Sequence, residues 1–387
     1  MTQGAPAAVP RSGAARARPD ATRFSKNFFA AFPLVRVRIN GGEPLEFLFD
    51  TGNAGLSVLD ISVAQRLGLD LAPSGSISFA GITLPTLRAE AARFQILNGG
   101  RRGVIDLRGI GFDALDLAPF GELAGRRVDG ILGYDVIHRF VTTVDYERQT
   151  VSFGAPRPEP ALRRQVVPFT LRQGWIIVKT RVNGEEEEMI LDTGASLTTF
   201  SRERARRLGL DVSRARPTTL MLPIGRVTYL PHRLRQVEFA GRALADSAAV
   251  VVATREGLFT SGTEMSLLGA NVLRHFRLTI DYGRRQLLVE PHEGFEGDPD
   301  EYTSIGVLPK LRDGRFYVSG VVNSSPADEE GVEIGDEIVE LGGLGVDQYS
   351  FGGLVDALRG PENSEVDLTL QRGQRRIALR LKRVKLL

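Results

Sequence analysis

Leu45-Glu46-Phe47-Leu48-Phe49-Asp50-Thr51-Gly52 and Met189-Ile190-Leu191-Asp192-Thr193-Gly194 share one design: an apolar run that ends in Asp-Thr-Gly. Ahead of each lies an alternating stretch with an Asn-Gly pair, Val35-Arg36-Val37-Arg38-Ile39-Asn40-Gly41 and Ile176-Ile177-Val178-Lys179-Thr180-Arg181-Val182-Asn183-Gly184. Period-two alternation predicts strands and Asn-Gly a tight hairpin turn, so each aspartate is expected at the end of a buried strand. Behind each copy comes a short helix closed by Arg-Leu-Gly-Leu-Asp, at 66–70 and 207–211. Gly68 and Gly209 suit the left-handed residue after a helix, and Ser201 suits the N-cap of the second one.

A third landmark completes the repeat. Gly130-Ile131-Leu132-Gly133 precedes Phe140-Val141-Thr142-Thr143-Val144-Asp145-Tyr146, and Ser266-Leu267-Leu268-Gly269 precedes Phe276-Arg277-Leu278-Thr279-Ile280-Asp281-Tyr282. The shift between copies is 142 residues from Asp50 to Asp192, 141 from Arg66 to Arg207 and 136 from Asp145 to Asp281. So steady an offset indicates duplication, and therefore two related lobes in one chain.

Paired aspartates have a chemical use. Hydrolysing a peptide bond without a metal or a covalent intermediate needs a base for water and an acid for the carbonyl oxygen. Two carboxyls about 3 Å apart cannot both ionise, so they share one proton and supply both functions. A small hydroxyl such as Thr51 or Thr193 can lock the loop, and Gly52 or Gly194 lets backbone approach a substrate.

The motifs resemble those of the retropepsin-like aspartic peptidases, in which Asp-Thr-Gly is followed by a second element of two apolar residues and Gly, here Ile131-Leu132-Gly133 and Leu267-Leu268-Gly269. The resemblance spans roughly residues 30–292 and implies two facing lobes in a single chain. It makes Asp50 and Asp192 catalytic, with Thr51, Gly52, Thr193 and Gly194 supporting the active-site loops. It also implies a β-hairpin flap, for which Ile77–Leu84 and Leu220–Tyr229, with Gly81 and Gly225 near their tips, are the candidates. One departure stands out: the first loop reads Asp50-Thr51-Gly52-Asn53-Ala54-Gly55-Leu56, one residue longer than its counterpart, and Asn53 is placed to alter the loop or hydrogen-bond near the dyad.

The last ninety or so residues carry a different pattern. Ser325-Pro326-Ala327, Gly335-Asp336 and the strand ending at Gly342-Gly343 closely resemble the core of bacterial PDZ domains, with Phe351–Leu358 as the longer helix and Val366–Gln371 and Ile377–Leu381 as closing strands. PDZ domains add an extended peptide to an exposed sheet edge. By resemblance Ile305-Gly306-Val307-Leu308 is the candidate peptide-binding loop for a terminal carboxylate; the same residues equally suit a first strand without ligand contact. Asp336 is read as a brace for the Gly-Asp turn.

Composition excludes several classes. Lysine plus arginine number 49 against 47 acidic residues, so no charge bias points to nucleic acid. The chain has no cysteine, which removes disulfides, thiolate nucleophiles and Cys-held metals. His138, His232, His275 and His292 show no ligand spacing, so neither a metal nor another cofactor is expected. Residues 1–30 hold no apolar run long enough for an export signal or membrane helix. The compartment therefore stays open, although the resemblance favours an extracytoplasmic site.

The expected fold class is mainly β: two retropepsin-like β-barrel lobes forming a pseudo-dimer, followed by a PDZ domain, a small β-barrel with two helices. The expected boundaries are a disordered leader (1–30), lobes at 31–155 and 167–292 joined by a linker (156–166), a connector (293–303) and the PDZ domain (304–387). The expected function is that of a monomeric aspartic endopeptidase acting on a polypeptide, with a peptide or protein C-terminus bound at the PDZ domain. The alternative is a catalytically inactive, protease-like scaffold that binds peptides through the PDZ domain. Pairing of each lobe with a second chain is the less simple assembly.

Overall fold

Alternation in the first half does what period two requires: Val35, Val37, Ile39, Leu45, Phe47 and Phe49 are all buried, while Arg36 between them is exposed. The computed structural model describes residues 24–26, 31–79, 82–97, 103–154, 164–222, 225–253, 265–293 and 302–387. The first half supplies β1 (Phe24–Lys26), β2 (Ala31–Ile39), β3 (Leu45–Phe49), β4 (Val58–Asp60), β5 (Ala72–Phe79), β6 (Ile82–Ile96), β7 (Ile105–Leu115), β8 (Gly130–Leu132), β9 (Val141–Asp145) and β10 (Thr150–Phe153). Its helices are α1 (Ile61–Arg66), α2 (Ala118–Ala124) and α3 (Tyr134–Ile137). The second half supplies β11 (Gln165–Pro168), β12 (Thr170–Arg172), β13 (Trp175–Val182), β14 (Glu185–Leu191), β15 (Thr198–Ser201), β16 (Thr218–Leu222), β17 (Gly225–Phe239), β18 (Arg242–Val252), β19 (Ser266–Leu268), β20 (Phe276–Asp281) and β21 (Gln286–Pro291), with α4 (Arg202–Arg207) and α5 (Ala270–Leu273).

Each half closes on itself. The strand order β2-β3-β8-β4-β7-β6 returns to β2 through a β2–β6 pairing, and β13-β14-β19-β15-β18-β17 returns to β13 in the same way. Closure leaves no free edge in either six-strand barrel. The turns follow the sequence signal, with Asn40 and Gly41 at φ 48° and 77° and Asn183 and Gly184 at φ 53° and 98°. Gly68 and Gly209 adopt the left-handed conformation at φ 64° and 63°, and the Ser201 hydroxyl accepts from the Arg204 amide as an N-cap. In the first barrel Phe47, Phe94 and Phe112 pack edge to face or tilted, with centroids 5.7–6.3 Å apart.

The halves are joined by a five-stranded sheet, β10-β9-β20-β21-β11. Thr143 pairs with Thr279 at the centre of its β9–β20 ladder, and their hydroxyls lie 2.8 Å apart. The repeat thus becomes an approximate two-fold relation between lobes.

The C-terminal module contains β22 (Thr303–Ser304), β23 (Val307–Arg312), β24 (Arg315–Val322), α6 (Pro326–Glu329), β25 (Glu337–Leu341), β26 (Leu344–Gly345), α7 (Phe351–Leu358), β27 (Glu365–Arg372), β28 (Arg375–Lys382) and β29 (Val384–Lys385). It has its own core, which includes Ile305, Val307, Val318, Ile338, Leu354 and Leu368. Asp336 is buried, accepts from the Glu333 amide and pairs with Arg372 at 2.6 Å, the turn-bracing role expected of it.

Four expectations need adjustment. Phe24–Lys26, inside the leader expected to be disordered, pairs antiparallel with Ala31–Pro33 because that end of β2 extends beyond β3 and leaves its backbone groups open; the remainder of 1–23 lies outside the described residues. The linker expected over 156–166 ends earlier, since Gln165 and Val166 already pair with Val289 and Leu288; 155–163 lie outside the described residues. The connector ends earlier too, because Thr303 pairs with Lys385, and 294–301 lie outside the described residues. Both flap candidates are hairpins, β5–β6 and β16–β17, with Gly81 outside the described residues. The second is no free flap: Thr218, Thr219 and Leu220 pair with Val322, Val321 and Gly320, so the lobe and the C-terminal module share a continuous sheet.

Gly130 shows how tightly the barrel closes. A Cβ there would run into the Phe47 ring and come within 2.6 Å of the Val58 carbonyl, whereas one on Gly75 would meet nothing within 4 Å. Gly130→Ala is expected to destabilise the protein by about 1–3 kcal/mol through overpacking. Gly75→Ala should stay within about 0.5 kcal/mol of the parent, as read from urea denaturation.

Candidate functional site

β3 and β14 run parallel to β8 and β19, in register Phe49↔Leu132 and Leu191↔Leu268. This is the structural use of the two apolar-apolar-Gly elements. The carbonyls of Leu132 and Leu268 accept from the Asp50 and Asp192 amides at 3.3 and 3.1 Å, so each aspartate is fixed where its strand ends.

The loops beyond cross to the other lobe. The Thr51 hydroxyl donates to the Leu191 carbonyl at 2.6 Å, and the Thr193 hydroxyl donates to the Phe49 carbonyl at 2.7 Å. Each hydroxyl also accepts the opposite threonine's amide, both at 3.1 Å. Thr51 is 2% exposed and Thr193 fully buried, so water cannot replace these bonds.

Above this bracket the carboxyls face each other. Asp50 Oδ1 accepts from the Gly52 and Asn53 amides at 2.8 and 3.3 Å, and Asp192 Oδ1 accepts from those of Gly194 and Ala195 at 2.8 and 3.0 Å. The two side chains are hydrogen-bonded to one another. A Cβ on Gly52 would lie 2.5 Å from the Asp192 carboxyl, and one on Gly194 2.5 Å from that of Asp50, so glycine is required at both positions.

Burial raises the Asp192 pKa well above the ordinary carboxyl value, and the charge of Asp50 raises it further. Burial also raises Asp50, but amides of its own loop and the bond from Asp192 oppose the rise. Burial and the neighbouring carboxyl thus favour a retained proton on the pair.

Several neighbours were not legible in the sequence. The Trp175 indole donates to the Gly52 carbonyl at 2.8 Å, tying the start of β13 to the opposite lobe's loop. Tyr146 and Tyr282 are buried and their phenols pushed up in pKa; burial dominates, and the charge of Asp192 adds to the first and, after Tyr134, that of Asp50 to the second. They are equivalent repeat positions, each following Asp145 or Asp281, and only the matching ends of β9 and β20 could have flagged them.

Asn53 folds back on its own loop: its side-chain amide donates to the Leu56 carbonyl at 2.9 Å and its Oδ1 accepts from Gly55. The extra residue is absorbed there, and the side chain does not enter the dyad's hydrogen bonding. In the C-terminal module Ile305, Val307 and Leu308 are buried in the core, so their side chains are closed to a ligand and only main-chain groups remain for one. Gly306 sits at φ 94° against the Ser325 side chain. Asp145, Glu147 and His292 gather within 4.8 Å, a cluster that spacing could not show because it spans the sheet between lobes. Arg148 pairs with Asp145 at 2.9 Å and Arg277 lies 3.7 Å from it, so arginines already neutralise its central carboxylate.

The sequence matches the family described as aspartyl protease over residues 35–136 and 178–272, just over half the chain, and a PDZ domain over 317–372. The chain belongs to the aspartyl protease family and carries a PDZ domain. A probable CtpA-like serine protease of Staphylococcus aureus, in strains COL and N315 alike, is 30% identical over 95 residues, 24% of this chain. The chain covers 18% of the length of those relatives, and a 95-residue stretch cannot hold both Asp50 and Asp192, 142 positions apart. A retropepsin-like aspartic protease from Rickettsia conorii aligns over 34% of this chain and 92% of its own, at 22% identity and a TM-score of 0.27, too low to bear on activity.

Thr51→Val keeps the shape but removes both a donor and an acceptor of the bracket. It is expected to cost about 2–4 kcal/mol, measurable as a shift in urea midpoint. The duplicated lobes supply a second test. Asp135 Oδ1 accepts from the Ser57 amide and hydroxyl, both at 2.8 Å, where Asn271 accepts from Thr198 in the other lobe. Burial raises the Asp135 pKa despite those bonds, so the fold favours the neutral form and loses stability as pH rises through that pKa. Asp135→Asn should raise the melting temperature at pH 7, with a gain that shrinks as pH falls into the ordinary carboxylate range.

Proposed function

We propose that the chain is an aspartic endopeptidase in which Asp50 and Asp192 activate one water against the scissile carbonyl of an extended polypeptide. The observation that carries this reading is the pair of facing, mutually hydrogen-bonded carboxyls, Asp192 buried and Asp50 half-buried, on cross-braced loops. The ionised member takes a proton from water while the protonated member donates to the carbonyl oxygen, and the tetrahedral intermediate collapses as a proton passes to the leaving nitrogen. Because the two titrate as a unit, the shared proton belongs to the pair before attack. Thr51, Gly52, Thr193 and Gly194 hold the geometry, and Trp175 positions the Gly52 carbonyl.

Both lobes come from one chain, which supports a monomer as the active unit, with lobes of about 24–154 and 165–292 and a PDZ domain from about 303. The PDZ domain is read as the site for a peptide or protein C-terminus that recruits substrate or regulates cleavage. Tethering raises local concentration, so weak capture suffices for selectivity.

The test is mass-spectrometric cleavage mapping of an unstructured protein from acidic to neutral pH. Asp50→Asn and Asp192→Asn should each abolish cleavage, by about 10⁴-fold or more if the two act as one unit. Parental activity should persist above the ordinary carboxylate range and fall once the shared proton is lost. No cleavage by the parent at any pH would instead favour the peptide-binding scaffold.

A further inference from the structure

Among the described residues β23 pairs with β24 alone, so one edge of β23 faces α7 without a strand partner. An added peptide strand would pair with that edge. In this structure α2 of the first lobe packs against β23 there. Glu122 of α2 accepts from Lys310 Nζ at 2.9 Å and from Arg312 Nε at 2.7 Å, both on β23. The Glu122 and Lys310 side chains are 19% and 13% exposed, so solvent screens this pair less than a rim contact. Burial alone would raise the Glu122 carboxyl, but the bonds from Arg312 and Lys310 prevail and hold it below its ordinary value. At the end of α2, Gly125 sits at φ 64° with its backbone directly on the Phe351 ring, the first residue of α7; any Cβ there would overlap that ring. The helix thus bridges the two walls between which a peptide would lie.

We propose that α2 is a tethered competitor for the PDZ groove, and that a peptide terminus binds there only by displacing it. The proposal rests on the reading that this groove takes peptide termini. A competitor built into the chain lowers apparent affinity by the fraction of molecules in which the groove is open. Displacement also reaches the dyad's strand, because the segment after α2 is anchored on β3: Arg126 pairs with Glu46, and Asp129 and Glu46 exchange bonds of 2.8 and 2.9 Å. That segment leads into β8, whose Leu132 carbonyl holds the Asp50 amide.

The test uses the full chain and a fluorescein-labelled pool of random decapeptides with free C-terminal carboxylates, read by fluorescence anisotropy, beside the same pool amidated. Glu122→Arg turns attraction to Lys310 and Arg312 into repulsion, and Gly125→Ala pushes against Phe351. Each is expected to bind the free-carboxylate pool about tenfold more tightly than the parent and the amidated pool no better. Glu122→Lys combined with Lys310→Glu and Arg312→Glu should restore the closed arrangement and the weak binding. If Gly125→Ala melts early, the half-buried Glu122→Arg decides alone. Parent-like melting with parent-like affinity in Glu122→Arg would overturn the competitor. Absence of binding in parent and variants alike would overturn the groove reading itself, and cleavage assays on the same samples would show whether the peptidase reading stands without it.

Discussion

Two threonine hydroxyls hold this molecule to its chemistry. Each donates to a carbonyl of the opposite lobe and accepts that lobe's threonine amide, so the loops that end β3 and β14 fix each other. Because the bracket is buried, a broken bond leaves an unpaired donor or acceptor rather than a hydrated one. The five-stranded sheet between lobes serves the same end, with Thr143 and Thr279 meeting near its axis. Only with the loops so held can two carboxyls sit close enough to share a proton.

That closeness has an electrostatic cost. Burial raises both aspartates and the charge of Asp50 raises Asp192 further, while loop amides favour the charged form. The Trp175 bond to the opposite lobe's Gly52 and the extra residue at Asn53 break the two-fold symmetry of the loops. Asp135 facing Ser57, where the second lobe has Asn271 facing Thr198, is another such break.

The repeat made much of this legible. Asp-Thr-Gly after an apolar run, with an apolar-apolar-Gly element downstream, located the aspartates and their bracing threonines because those residues do local work at strand ends. Asn-Gly turns and the Ser201 cap were readable for the same reason. Trp175, Tyr146 and Tyr282 were not, since their partners lie across the lobe boundary and no local spacing marks such a contact. The β16–β24 pairing escaped because edge-to-edge pairing uses backbone groups that every sequence possesses, and the seat of α2 on β23 because its ion pairs join residues 188 and 190 positions apart. Of the candidate carboxylate loop, Val307 and Leu308 lie on β23, and the side chains of Ile305, Val307 and Leu308 belong to the core.

The C-terminal module is thus joined to both lobes, by strand pairing to the second and by an ion-paired helix to the first. In the proposed reading the central feature of this scaffold is a proton shared by Asp50 and Asp192, and such a proton can be watched directly. With aspartate carboxyl carbons labelled with ¹³C, the two resonances that Asp50→Asn and Asp192→Asn identify can be followed by NMR as pH is raised. Two linked steps are expected, one of them above the ordinary carboxylate range, with the upper step lost in either variant. Two independent titrations within the ordinary range would show that the carboxyls do not share a proton, and would contradict the proposed reading.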